Sequence, residues 1–130
     1  YWWWLLKQKE LTGLVFVDYS LLGNIEHEYA TNKEINEKQQ KGIFRSYGGY
    51  VTEVRERSGK KGRFAKILIE SNYKMINIMV WSEEYKRLKK EIKSCLNAFI
   101  LFSGELKYED KWTKGNQFTL TEDSMFEVFK

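Results

Sequence analysis

The chain has 130 residues, 42% of them hydrophobic and 16% aromatic, with a net charge of +4. That length gives one domain with at most a small appendage, enough for a barrel core and too short for a large enzyme. One cysteine, Cys95, excludes an internal disulfide, and with a single histidine, His27, there is little material for a zinc cluster or a Cys/His pair. The charge is unevenly spread. Residues 1–42 carry five Lys against six Asp/Glu, whereas residues 43–130 carry seventeen Lys/Arg against twelve Asp/Glu. Between residues 55 and 66, Arg55, Arg57, Lys60, Lys61, Arg63 and Lys66 face only Glu56. A cluster of that kind is the footprint of an anionic partner; it also serves to keep a hairpin tip soluble. No apolar run is long enough to span a membrane. The chain opens on Tyr1 and not on Met, which reads as a piece of something larger or a processed product.

In chain order, residues 2–11 are expected to form a short helix with Trp2, Leu5, Leu6 and Lys9 on one side, ended by Gly13. Leu14 to Val17 is a short strand-like run. Residues 24–42 are polar and read as a solvated helix or linker, with His27 between Glu26 and Glu28 as a surface residue. Gly42 marks a boundary between an appendage, 1–42, and a folded domain, 43–130. A long first strand is expected over 43–57, with a bulge or bend at Gly48-Gly49. A hairpin loop, Ser58-Gly-Lys-Lys-Gly62, leads to a second strand over 63–70, and Ser71-Asn72 turns the chain into a third over 75–81. Ser82 is the expected N-cap of a helix, with Glu83 and Glu84 in its first turn and Tyr85, Leu88 and Ile92 on its buried face. A fourth strand follows over 98–108, a loop over 111–116, a fifth strand from Gln117, and an apolar end segment at 125–129.

Three strands, a helix, then further strands is the order of a five-stranded OB barrel, so the fold class is mainly β with one helix between strands three and four. Alternation puts Ala65, Ile67, Ile69, Ile76, Ile78 and Val80 inside, and Phe64, Lys66, Leu68, Glu70, Met75, Asn77, Met79 and Trp81 outside. An aromatic beside a lysine on an outer sheet face can stack a base and pair a phosphate. The same face can instead pack under a neighbouring domain. The hairpin loop is not a Walker loop, because its spacing differs and a strand follows it. Glu109-Asp110 reads as a solvated turn before a metal site.

Through Gly49-Tyr-Val-Thr-Glu-Val-Arg55, Lys61-Gly-Arg63, Ala65, Ile69-Glu70 and Ile76-Asn-Ile-Met-Val-Trp-Ser-Glu-Glu-Tyr85, the chain resembles the OB domain of the bacterial DNA polymerase III alpha subunit, the family C replicative polymerase. Phe102-Ser-Gly-Glu105 is similar to that family's next strand, and Lys9-Glu-Leu-Thr-Gly13 to the segment before the domain. Ser71 and Ser82 stand where the family has Asp and Pro, and Tyr19-Ser-Leu-Leu22 replaces its Ser-Gly-His-Pro. The resemblance is specific over residues 49–85. It implies a non-catalytic module, since the family's catalytic aspartates lie in another domain. The implied partners are single-stranded DNA (template), the rest of the polymerase and other replication subunits, with no cofactor, metal or membrane. It also implies the cytoplasm of a bacterial or phage-infected cell, and the Lys-, Ile- and Asn-rich bias suits a phage.

On this reading Lys60, Lys61, Arg63 and Lys66 hold phosphates, Arg55 and Arg57 add to the field, and Phe64 and Asn77 sit on the binding face. Lys111, Trp112 and Lys114 in the loop before strand five close the groove from the other side, or Trp112 caps the barrel end. The alternatives are a protein-docking module of a replication complex and an RNA- or tRNA-binding OB domain.

Overall fold

The computed structural model describes residues 2–13, 28–36, 42–72, 74–109 and 115–129. Its elements are α1 (Trp2–Thr12), α2 (Asn32–Asn36), β1 (Ile43–Gly59), β2 (Gly62–Ser71), β3 (Lys74–Val80), α3 (Ser82–Ser94), β4 (Phe99–Glu109), β5 (Gly115–Thr119) and β6 (Phe126–Phe129). Strands pair in the order β1-β2-β3-β5-β4-β6, and an added β1–β4 pairing closes five of them into a barrel. The β3–β5 pairing is parallel and the rest are antiparallel. This is the OB barrel that the element order implies. The apolar end segment at 125–129 becomes β6, which follows β5 along β4: β5 pairs with residues 105–109 and β6 with 99–102.

The closure depends on β1 changing partners. Residues 43–50 pair with β4 and residues 50–59 with β2, with Tyr50 opposite both Phe99 and Glu70. Gly48-Gly49 sits at this handover, as expected of a bend, but carries no bulge. The register break lies between Val51 and Glu53. Gly49 answers a steric need, since a Cβ there would stand 2.7 Å from the Glu70 carbonyl oxygen, closer than real contacts allow. The glycines mark a close approach of backbones, and the extra residue is taken up at Thr52, whose hydroxyl donates to the Leu68 carbonyl at 3.2 Å.

The interior follows the expected alternation. Ala65, Ile67, Ile69, Ile76, Ile78 and Val80 are buried, joined by Tyr85, Leu88 and Ile92 from α3 and by Cys95. Tyr47, Phe102 and Phe118 form an aromatic cluster, with Phe102 and Phe118 edge to face at 4.9 Å and Tyr47 stacked on Phe118 at 5.5 Å. One helix boundary shifts by a residue. Trp81, not Ser82, is the N-cap: it is extended at φ −72° and ψ 171°, its carbonyl accepts the first helical bond from Tyr85, and no side chain caps the end.

Residues before 43 attach to the barrel at several points. Leu5 of α1 is buried against Phe99, with Leu6, Tyr50 and Phe129 around them. Lys9 pairs with Glu70 at 2.6 Å and lies 5.3 Å from the centre of the Tyr50 ring. Leu5, Leu6 and Lys9 thus use the face expected from their spacing, and Gly13 at φ 74° follows the helix. The polar stretch expected to be solvated differs in part: Ala30 and Ile35 are buried in the main core, and Tyr29 bridges Ser46 of β1. One or two apolar side chains in a polar segment suffice to pin it, which a composition average hides. Leu14 to Val17 and His27 lie outside the described residues.

Candidate functional site

The outer face of β1, β2 and β3 is set by the pairing register. Arg57 lies opposite Phe64, Arg55 opposite Lys66 and Glu53 opposite Leu68, while Met79 and Asn77 of β3 lie across from Lys66 and Leu68. Phe64, Lys66, Leu68, Asn77 and Met79 are partly buried, alternating with fully buried core positions. At the far end of the face the Glu70 carboxylate is taken by Lys9 of α1, while Met75 opposite it is exposed. A shallow cavity of about 100 Å³ lies on it among Glu53, Arg55, Lys66, Leu68 and Asn77.

A larger groove, about 620 Å³, lies where this face meets the hairpin tip and the start of α3. That volume is within the ~300–1,000 Å³ typical of ligand sites. Lys60 and Lys61 line it from the hairpin, Phe64 from β2, Trp81 from the junction of β3 and α3, and Ser82, Glu83, Glu84 and Lys86 from the helix. The Phe64 and Trp81 rings are 5.6 Å apart at 40°, and Trp81 is 49% exposed. A half-exposed tryptophan beside a second aromatic leaves a ring face for a further planar group. Gly62 makes the hairpin turn possible: its φ of 118° is one that side chains rarely adopt.

Charges at the hairpin are not equivalent. Arg55 donates to Glu53 at 2.7 Å, a contact that holds its guanidinium above its ordinary pKa, first through the hydrogen bond and then through the charge. Arg63 lies 3.7 Å from Glu56, whose other oxygen accepts the Tyr85 hydroxyl at 2.6 Å. That hydrogen bond is the leading cause, ahead of burial, of the upward shift of the Tyr85 phenol. The Tyr85–Glu56–Arg63 chain ties the base of the hairpin to α3. Among the described residues, Arg57, Lys60, Lys61, Lys66 and Lys86 have no ion-pair partner. Cations without a carboxylate partner are the ones available to an incoming anion.

Of the candidate residues, the fold gathers Lys60, Lys61 and Phe64 at the groove and Arg55, Lys66 and Asn77 around the smaller cavity. Arg57 and Arg63 flank Phe64 in register and in sequence. Lys111, Trp112 and Lys114 lie outside the described residues. Trp81, Glu83, Glu84 and Lys86 line the groove and are absent from the sequence-derived set. Trp81 was legible as an outward-facing aromatic next to the same edge as Phe64; the helix residues were not, because nothing in the sequence says that the hairpin leans toward α3. No helix among the described residues is long and apolar enough to cross a membrane. No group of three or more His, Cys, Asp or Glu among them could hold a metal ion.

No family model and no curated protein matches the chain. Solved structures do match its fold. The p204 HINb domain matches with a TM-score of 0.53 at 15% identity, over 82% of this chain and 58% of that one. The replication factor A related protein from Methanobacterium thermoautotrophicum matches with a TM-score of 0.52 at 19% identity, over 83% of this chain and 96% of that one. The chain therefore spans just over half of the first structure and nearly all of the second. At these identities the likeness is one of fold.

Proposed function

We propose that the chain is a non-catalytic OB module that binds single-stranded DNA along the outer face of β1, β2 and β3. The observation that carries this reading is the groove in which unpaired Lys60, Lys61 and Lys86 surround the Phe64–Trp81 pair. Single-strand binding needs both parts: cations that follow the backbone and ring faces that take bases without regard to sequence. Lys66, midway along the open face, continues the cationic track toward Asn77.

The parent is read as a family C replicative polymerase or a relative of it, with the remainder of that protein and replication subunits as partners, in the cytoplasm. The support is the motif run over residues 49–85, which supplies the hairpin, the outer face and the start of α3. One of the matched structures carries a replication protein's name, which agrees with this reading.

The test is fluorescence anisotropy of a labelled single-stranded 12-mer titrated with the full chain. Binding in the micromolar range, weakened by salt and strongly reduced in F64A and W81A, is expected. Failure of the chain to bind, or binding unchanged in F64A/W81A, would overturn the reading in favour of a protein-docking module.

A further inference from the structure

The groove holds two kinds of charge that do not neutralise each other. Glu83 and Glu84 line its helix side, and among the described residues neither has an ion-pair partner. Lys60 and Lys61 line its hairpin side. Between the two sides lies the tilted Phe64–Trp81 pair. A helix N-terminus ordinarily attracts a phosphate, but here two carboxylates occupy the first turn and repel one. A nucleotide entering the groove is therefore oriented: its phosphates go to the hairpin lysines, its base stacks on the aromatic pair, and the base edge points at the carboxylates.

Carboxylates accept hydrogen bonds and cannot donate them when ionised. A base edge turned toward them is favoured if it presents an amino donor and disfavoured if it presents only a carbonyl. Cytosine carries the N4 amine at the position where thymine carries the O4 acceptor, and acidic side chains are the usual partners of that amine. We infer that the groove is a base-selective subsite that takes an amino-bearing base, cytosine before thymine, with Glu83 and Glu84 as the selecting residues. The inference rests on the single-strand-binding reading above.

The experiment compares labelled oligo-dC and oligo-dT of equal length, at neutral pH and fixed salt, against the full chain and E83Q/E84Q. Both bases are pyrimidines, so size and stacking are nearly matched. The chain should bind oligo-dC about five- to tenfold more tightly, the lower part of what one side-chain–base pair supplies. In E83Q/E84Q the preference should shrink to within about twofold, mainly because oligo-dT binds better once the amide can donate to O4. Equal binding of both oligonucleotides by the parent chain, or an undiminished preference in E83Q/E84Q, would overturn the selectivity while leaving single-strand binding intact. Absence of binding to either oligonucleotide would overturn both. Circular dichroism checks that the double variant is folded, and E83Q and E84Q singly serve if it is not.

Discussion

Changing Lys60 and Lys61 together to alanine separates cations that are free from cations already in use. Arg57, Lys60, Lys61, Lys66 and Lys86 are the unpaired set at the hairpin and groove, whereas Arg55 is held by Glu53 at 2.7 Å. A strand that neutralises four of the unpaired cations gives a slope of log affinity on log salt of about −2.8, at about −0.7 per contact. Raising salt from about 50 to 200 mM then weakens binding about fiftyfold. K60A/K61A removes two contacts, so the slope falls to about −1.4 and the same salt change costs only about sevenfold. The hairpin tip is exposed, so folding is unaffected. R55A is the control: its guanidinium is already partnered, and the slope should stay near that of the parent chain. Anisotropy titrations at four salt concentrations provide the measurement. An unchanged slope in K60A/K61A, or equal flattening by R55A, would refute the assignment of the hairpin lysines as the phosphate contacts.

F64A and W81A should each weaken binding by ~1–3 kcal/mol at every salt concentration, because stacking does not release counterions; a loss that vanishes at high salt would contradict a stacking role. Y85F removes the hydrogen bond to Glu56 and should cost about 1 kcal/mol in denaturant unfolding. The raised Tyr85 pKa adds a pH signature. Its stabilisation is complete below the phenol's unfolded value near 10 and is lost as pH rises through the higher native value, so the parent chain should lose stability in that alkaline window more than Y85F does; identical alkaline profiles would count against the contact. L5A empties a buried site against Phe99 and should destabilise the protein by about 2–4 kcal/mol, read by urea melts. Residues 43–130 alone should still unfold cooperatively, at lower stability because Ala30 and Ile35 leave the core; a molten fragment by circular dichroism would move the domain boundary upstream.

Much of the barrel was legible because its signals are local. The β2 and β3 alternation and the spacing of Tyr85, Leu88 and Ile92 follow from periods of two and of about 3.6 residues, and the Ser58 to Gly62 loop follows from its turn-forming Ser and Gly residues. What escaped was set by contacts between distant segments. Gly48-Gly49 announced a tight spot but not its cause, which is the approach of the Glu70 carbonyl. Ala30 and Ile35 gave no periodic signal, because Ala30 precedes α2 and a five-residue helix is too short to have one. At the site, the basic hairpin and Phe64 could be read directly. The pairing of Arg63 with Glu56, which draws that arginine away from the unpaired set, follows from the strand register, whereas the Tyr85 hydroxyl that bonds the other oxygen of Glu56 arrives from α3. The acidic side of the groove likewise exists only because the start of α3 stands beside the hairpin.

The central claim is that single-stranded DNA lies across the outer face of β1, β2 and β3, and an amide and indole NMR titration with an unlabelled oligo-dC tests it most directly. Shifts concentrated at residues 60–66, at 77–79 and at 81–86, with the Trp81 indole N–H among the largest, are the predicted result. Shifts confined to α1, β4 and β6, or no shifts at saturating oligonucleotide, would contradict it.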